Sequence, residues 1–448
     1  MKRLFLTFFL ILIALPAQAG LLDIQEITSP GGIKAWLVED HNVPVISMEF
    51  TFKNAGSKQD PADKQGLARM VSNTLDEGAG NLDSQSFQKQ LRDMAITLGY
   101  SASRDDLSGS LKTITANRSK AFELLRLSLT APRFDEEPVA RMRQANQARI
   151  RSSLSDPEWI AARLLNDVAF AGHPYAQNSG GTISSLARIT PEDLRTFAAA
   201  NLARDNLVVA VAGDITAKEL GKKLDEIFGD LPAASAVAEI PPATLQNQGS
   251  VITYQKDIPQ SIIEILQPGI GRDDPDYHNA QVMNFILGAS GFGSRLMEEI
   301  REKRGLTYGI YTYMQDFDQI KTLGISTSTE NKNAGEMLSL IQAEWHKMLD
   351  APVTQEELES AQNYLIGSLP LSMTSTDKIA GLLLGLQREG LSTTYLDERA
   401  AAISAARIED IRRVAQRFLD TDSFVTVIVG KPENITAATN MDIIPNAE

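Results

Sequence analysis

The sequence is sparing with residues that hold metals or attack bonds. It has 448 residues, four histidines and no cysteine. Thiolate metal sites and cysteine nucleophiles are therefore excluded. The histidines, His41, His173, His278 and His346, are too far apart for two to share one helix face. Neither H-E-x-x-H nor H-x-x-E-H occurs, nor a G-x-S-x-G elbow or a phosphate-cradling G-x-x-x-x-G-K loop. Each histidine reads as a surface or turn residue. The donors that do stand together are Arg301 and Tyr308, in Arg301-Glu302-Lys303-Arg304-Gly305-Leu306-Thr307-Tyr308. Ser294 can cap a helix here, Glu298 and Glu299 favour its first half, and Gly305 can end it in the left-handed conformation. A strand over 306–313 would follow. The tight reversal can bring the two side-chain tips together, presenting fixed N–H and O–H donors to a carbonyl or developing oxyanion. The plainer alternative is a surface arginine paired with Glu298 or Glu302, and a tyrosine packed at a sheet edge.

Two blocks carry a family resemblance. Gly56-Ser57 and Asp60-Pro61 precede Gly66-Leu67-Ala68-Arg69-Met70-Val71-Ser72-Asn73. This resembles the pitrilysin/insulinase zinc peptidases, whose first unit opens with a Gly-Ser loop and a helix beginning G-L-A-H-x-x-E-H. There two histidines bind zinc and the glutamate is the general base. The matching positions here hold Arg69, Ser72 and Asn73. The family's third ligand, a glutamate, lies on a later helix. The corresponding stretch 141–150 contains no acid, and Arg149 matches the ligand. Zinc needs N, O or S lone pairs, and arginine stays protonated and repels a cation.

The second block, 287–308, is similar to the family's C-terminal unit, with its Gly-rich turn, S-R-L and R-x-K-R-G-L-x-Y. The resemblance implies that Arg301 and Tyr308 bind substrate. Gly288, Gly291 and Gly293 are read first as a tight structural turn. It further implies that this chain has no catalytic residues and no cofactor of its own. It would be the non-catalytic subunit of a heterodimer, with zinc in a homologous partner. The substrate would be a peptide added as a strand on a sheet edge. The alternative is a stand-alone peptide-binding or scaffold protein of the cell envelope. A hydrolase with a different active site has no nucleophile–base signature to support it.

The elements that position these residues come in two sets. Residues 192–213 and 409–430 align without a gap, each reading as an amphipathic helix, a polar turn and a buried strand. A second echo pairs Ala131-Pro132 and Glu136-Glu137 with Ala351-Pro352 and Glu356-Glu357. Residues 232–249, rich in Ala, Pro, Ser, Gln and Asn, read as a long flexible linker that lets the halves pack face to face or hinge apart. Expected units are therefore 20–231 and 250–448. Strands are expected at 33–38, 45–52 and 107–114. Helices are expected at 65–75, 87–98, 120–129 and 138–153. This interleaving lacks a regular βαβ rhythm. It indicates an α+β fold of two homologous tandem units, each a mainly antiparallel sheet with helices on one face, opposed as a clamshell.

Lys2-Arg3, an apolar run and Ala17-Gln18-Ala19 read as a cleavable signal peptide over 1–19, implying export to the periplasm. No other stretch is long and apolar enough for a membrane span. The net charge of −14 disfavours nucleic acid as a partner.

Overall fold

The computed structural model describes residues 21–351, 353–436 and 438–443. The signal-peptide segment 1–19 and Pro352 lie outside the described residues. The first unit holds strands β1 (Gln25–Thr28), β2 (Lys34–Glu39), β3 (Val45–Phe52), β4 (Thr97–Ala102), β5 (Leu107–Ile114) and β6 (Leu207–Gly213). They form one sheet in the order β1-β2-β6-β3-β5-β4. The second unit holds β7 (Ser250–Gln255), β8 (Gln260–Pro268), β9 (Ile310–Asp316), β10 (Lys321–Glu330), β11 (Val425–Gly430) and β12 (Ala438–Met441), ordered β12-β7-β11-β8-β10-β9. Both sheets are mixed and mainly antiparallel: β2 runs parallel to β6, and β7 parallel to β11 and β12. This is the two-unit α+β fold expected from sequence, its two sheet-and-helix halves arranged as a tandem clamshell.

The repeat is structural. Helix Pro191–Asn201 feeds β6 as helix Ile408–Phe418 feeds β11. Each strand ends in a glycine with positive φ, Gly213 at 126° and Gly430 at 149°. A side chain at Gly213 would sit 2.1 Å from the Val45 carbonyl oxygen, so only glycine fits. The outer strands break the symmetry. β1 comes from the start of the chain and runs antiparallel to β2, whereas β12 comes from its end and runs parallel to β7.

Several boundaries differ from the sequence pattern. The expected 65–75 helix is regular only over Leu67–Ser72, and the Thr74 hydroxyl then bonds back to the Met70 carbonyl. The expected 87–98 helix is Ser84–Asp93: Ala95 takes φ 51°, and the chain enters β4. The strand expected from 306 begins at Ile310, because the Thr307 hydroxyl ties up the Gly309 amide and carbonyl in a turn.

Helices of its own half cover one face of each sheet, as expected. The other face is covered too, by a helix from the opposite half. Pro157–Ala169 lays Ile160, Leu164, Leu165 and Val168 on Ile252, Ile262, Val425, Val427 and Val429 of the second sheet. Thr376–Arg388 lays Ala380 and Leu383 on Val38, Ala210 and Ala212 of the first. Each large apolar side chain buried this way is worth about 1.5–3 kcal/mol. The segment 232–249 is not a free hinge. Ala236 N–H donates to Ala200, Ala243 N–H to Gln319 and Gln246 N–H to Ala169, while Ala243 and Leu245 are buried.

Buried charges stitch the halves together. Lys58 Nζ, fully buried, lies 3.0 Å from Asp105 and 2.7 Å from Asp318. Arg388 reaches Asp106 and, at 2.9 Å, Asp318. Nearby, the Arg104 guanidinium sits over the rings of Phe170, Tyr175 and Phe317, and burial pushes it down to about 10. Removing one member of such a network strands its partners' charge. Lys58→Ala is accordingly expected to cost about 3 kcal/mol in urea unfolding; a loss under about 0.5 kcal/mol would show the network to be dispensable.

Candidate functional site

The helix matching the zinc motif is held at its start by Asp60. That buried carboxylate accepts from Gly66 N–H and Ala68 N–H, both at 2.8 Å. Burial nevertheless dominates, and its pKa is pushed up to about 7. Gly66 takes φ 88°, and a Cβ there would lie 2.7 Å from the Gly181 Cα, so the helix start packs directly on a second glycine turn.

The degenerate motif residues then divide. Arg69, Asn73 and Arg149 gather in one cluster, whereas the Ser72 hydroxyl turns back onto the Arg69 carbonyl at 2.9 Å. Helix Glu136–Ser153 supplies Arg149 and also Asn146, which sequence reasoning passed over. Asn146 is buried. Its amide donates to Asn73 Oδ1 at 3.1 Å, and its Oδ1 accepts from Arg149 Nη2 at 3.1 Å. Its position one turn before Arg149, on the same helix face, was the available signal. Burial, and then the charge of Arg149, push the Arg69 guanidinium pKa down. Arg69 Nε is buried without a hydrogen-bond partner.

These residues do not fit a zinc ion. Guanidinium groups offer no lone pair and carry the wrong sign, and two amides bonded to each other cannot replace imidazoles and a carboxylate. Among the described residues, no group of three His, Asp or Glu side chains could hold a metal. Three of the four histidines are engaged elsewhere, and the fourth, His346, is exposed on the helix Ala334–Asp350. His41 sits between Asp214 (2.7 Å) and Glu39 (3.2 Å), His173 meets the Pro241 carbonyl, and His278 meets Gln281.

At the second block the chain winds as a π-helix over Met297–Glu302, rather than the α-helix expected, so Lys303 N–H reaches the Glu298 carbonyl. Gly305 ends it at φ 65°, with its N–H on the Arg301 carbonyl at 2.8 Å. The Ser294 hydroxyl fastens the preceding turn, donating to the Gly291 carbonyl at 2.8 Å. The reversal does bring Arg301 and Tyr308 together. The guanidinium carbon lies 5.3 Å from the Tyr308 ring centre and 4.2 Å from that of Phe292. Arg301 Nη1 has no hydrogen-bond partner and pairs only loosely with Glu302, at 3.6 Å. Glu298 pairs with Lys303 instead. Tyr308 is not packed at an edge but 86% exposed. Phe292, the aromatic in the Gly-rich turn, is the contact the sequence reading did not single out.

Two family profiles match this chain: "Insulinase (Peptidase family M16)" over residues 39–182 and "Peptidase M16 inactive domain" over 188–365. The chain is an M16-family peptidase homologue. A solved M16 inactive domain from Pseudomonas fluorescens superposes with a TM-score of 0.86 at 29% identity, covering 93% of this chain and all of that one. A Helicobacter pylori protein called a non-peptidase homolog is 28% identical across 83% of this chain and 85% of its own length. A fission yeast protein, described as a probable mitochondrial-processing peptidase subunit beta, is 25% identical over 94% of both. With two arginines and one amide at the metal positions, this chain is an inactive M16 homologue.

Asp60 gives this region a pH signature. Its folded pKa near 7 stands above the ordinary 3.8, so between those values the folded chain binds the extra proton. The stability from Asp60 is therefore full at low pH and declines as pH rises toward 7. Asp60→Asn is expected to flatten the pH 4–7 slope of unfolding free energy; an unchanged slope would contradict the assignment.

Proposed function

We propose that this chain is the substrate-binding, non-catalytic subunit of a heterodimeric zinc metallopeptidase, exported to the periplasm and paired with a homologous chain that carries the zinc. The observation that carries this reading is the Arg301–Tyr308 pair: an arginine against the rings of Phe292 and the exposed Tyr308, with one nitrogen unbonded. A peptide carbonyl can take both donors at once, and such donors act most strongly where water is excluded. The metal positions of the same chain cannot perform hydrolysis, so for the pair to serve cleavage the metal must come from another chain. The similarity to a protein described as a processing-peptidase subunit supports a paired assembly. The second reading, a stand-alone peptide-binding or scaffold protein of the envelope, has support in the relative called a non-peptidase homolog.

A homologue carrying H-x-x-E-H, purified alone and mixed with this chain, separates the two. Turnover of a quenched fluorescent peptide is expected only in the mixture. Arg301→Ala should lower kcat/KM about 10²-fold and Tyr308→Phe about tenfold, if each donor serves the attacked carbonyl. Full activity of the partner alone would favour the second reading.

A further inference from the structure

The arginine pair at the degenerate zinc position has a property that loss of catalysis does not require. Neutral residues would abolish zinc binding equally well. Instead, two guanidinium groups lie close enough for Arg149 to oppose the charge on Arg69, and among the described residues neither has a carboxylate within ion-pair distance. Arg69 Nε is buried with no acceptor. Arg149 spends one N–H on Asn146 Oδ1, and Asn146 in turn spends its amide on Asn73. The wall beside Arg149 is Gly180, whose added Cβ would come within 3.5 Å of Nη2, so that side lacks bulk. Asp60, the acid that opens this helix, is committed to the Gly66 and Ala68 amides. Arg69 is half-buried and Arg149 exposed at its rim, and like charges so placed repel unless an anion completes them. The rest of the chain is strongly acidic, so this is a local reversal of the surface sign.

We infer that the former cation site has become an oxyanion site, and that it takes a carboxylate of the bound peptide, either its C-terminal group or an Asp or Glu side chain. Guanidinium forks match a planar carboxylate in two-point geometry. The choice of a carboxylate rests on the peptide-binding reading above, since carboxylates are the oxyanions an unmodified peptide brings. In this scheme Arg301 and Tyr308 hold the backbone, while Arg69 and Arg149 select for negative charge.

The test uses the full chain with ¹⁵N-labelled arginine, its Arg69 and Arg149 Nε–H signals assigned through Arg69→Gln and Arg149→Gln. Acetate, compared with chloride at equal ionic strength, is expected to shift both signals saturably. A short unstructured peptide with a free C-terminus should bind at least tenfold more tightly than its C-terminal amide, and both variants should lose that preference. If an internal glutamate restores affinity to the amide, the side chain is the source; if not, the C-terminus is. Because each variant relieves like-charge repulsion, both should melt at or above the wild-type temperature. No saturable acetate shift, an undiminished preference in the variants, or variants that melt lower would overturn the inference. A chain that binds acetate but no peptide would instead sink the subunit reading and leave the oxyanion site standing.

Discussion

Neither sheet can bury both faces with helices from its own half. β6 and β11 are apolar on both sides, and the second side of each is closed by a helix contributed from the other half. This exchange constrains everything else. It forces residues 232–249 to run pinned across both halves. It also brings Lys58, Asp105 and Asp106 against Asp318 and Arg388, where charges removed from water need close partners. Separating the halves would expose two apolar sheet faces and break that network together. The two halves are therefore packed as one body, with residues 232–249 fastened to both.

On this rigid frame the two halves carry different chemistry from related folds. The first half fixes the helix that matches the zinc motif through the Asp60 clasp on its first amides and the glycine-to-glycine contact between Gly66 and Gly181. At the positions that match the family's metal ligands stand two arginines and an asparagine, which make the site positive without a metal. The second half keeps an arginine supported by aromatic rings and left short of one hydrogen bond. Scaffold has been retained while metal chemistry has been lost, which is why fold similarity to peptidases does not by itself imply peptidase activity.

Much of this was legible in the residues. The 192–213 and 409–430 repeat announced two units, since a helix period followed by a continuous apolar run has few other readings. The motif positions at Arg69, Asn73 and Arg149 were legible because ligand chemistry is fixed by residue type. Ser72 was legible as a substitution but not as a residue folded away from the cluster, since a rotamer leaves no trace in the sequence. The helix exchange was not legible either. Ile160, Leu164 and Val168 show an apolar stripe but not which sheet it meets. The same holds for Lys58 on Asp318, a contact between segments whose approach depends on the whole fold, while Phe292 on Arg301 is a local contact set by the turn that joins them. The π-helical turn at Met297–Glu302 escaped notice because it differs from an α-helix by a single residue per turn.

The central claim is that this chain's own side chains cannot hold the family's metal. The most direct measurement is the zinc content of the purified, unpartnered chain after equilibration with zinc and passage through a desalting column, taken together with its hydrolysis of unstructured peptides. The account predicts far less than one zinc per chain and no turnover. One tightly retained zinc per chain accompanied by peptide cleavage would contradict it.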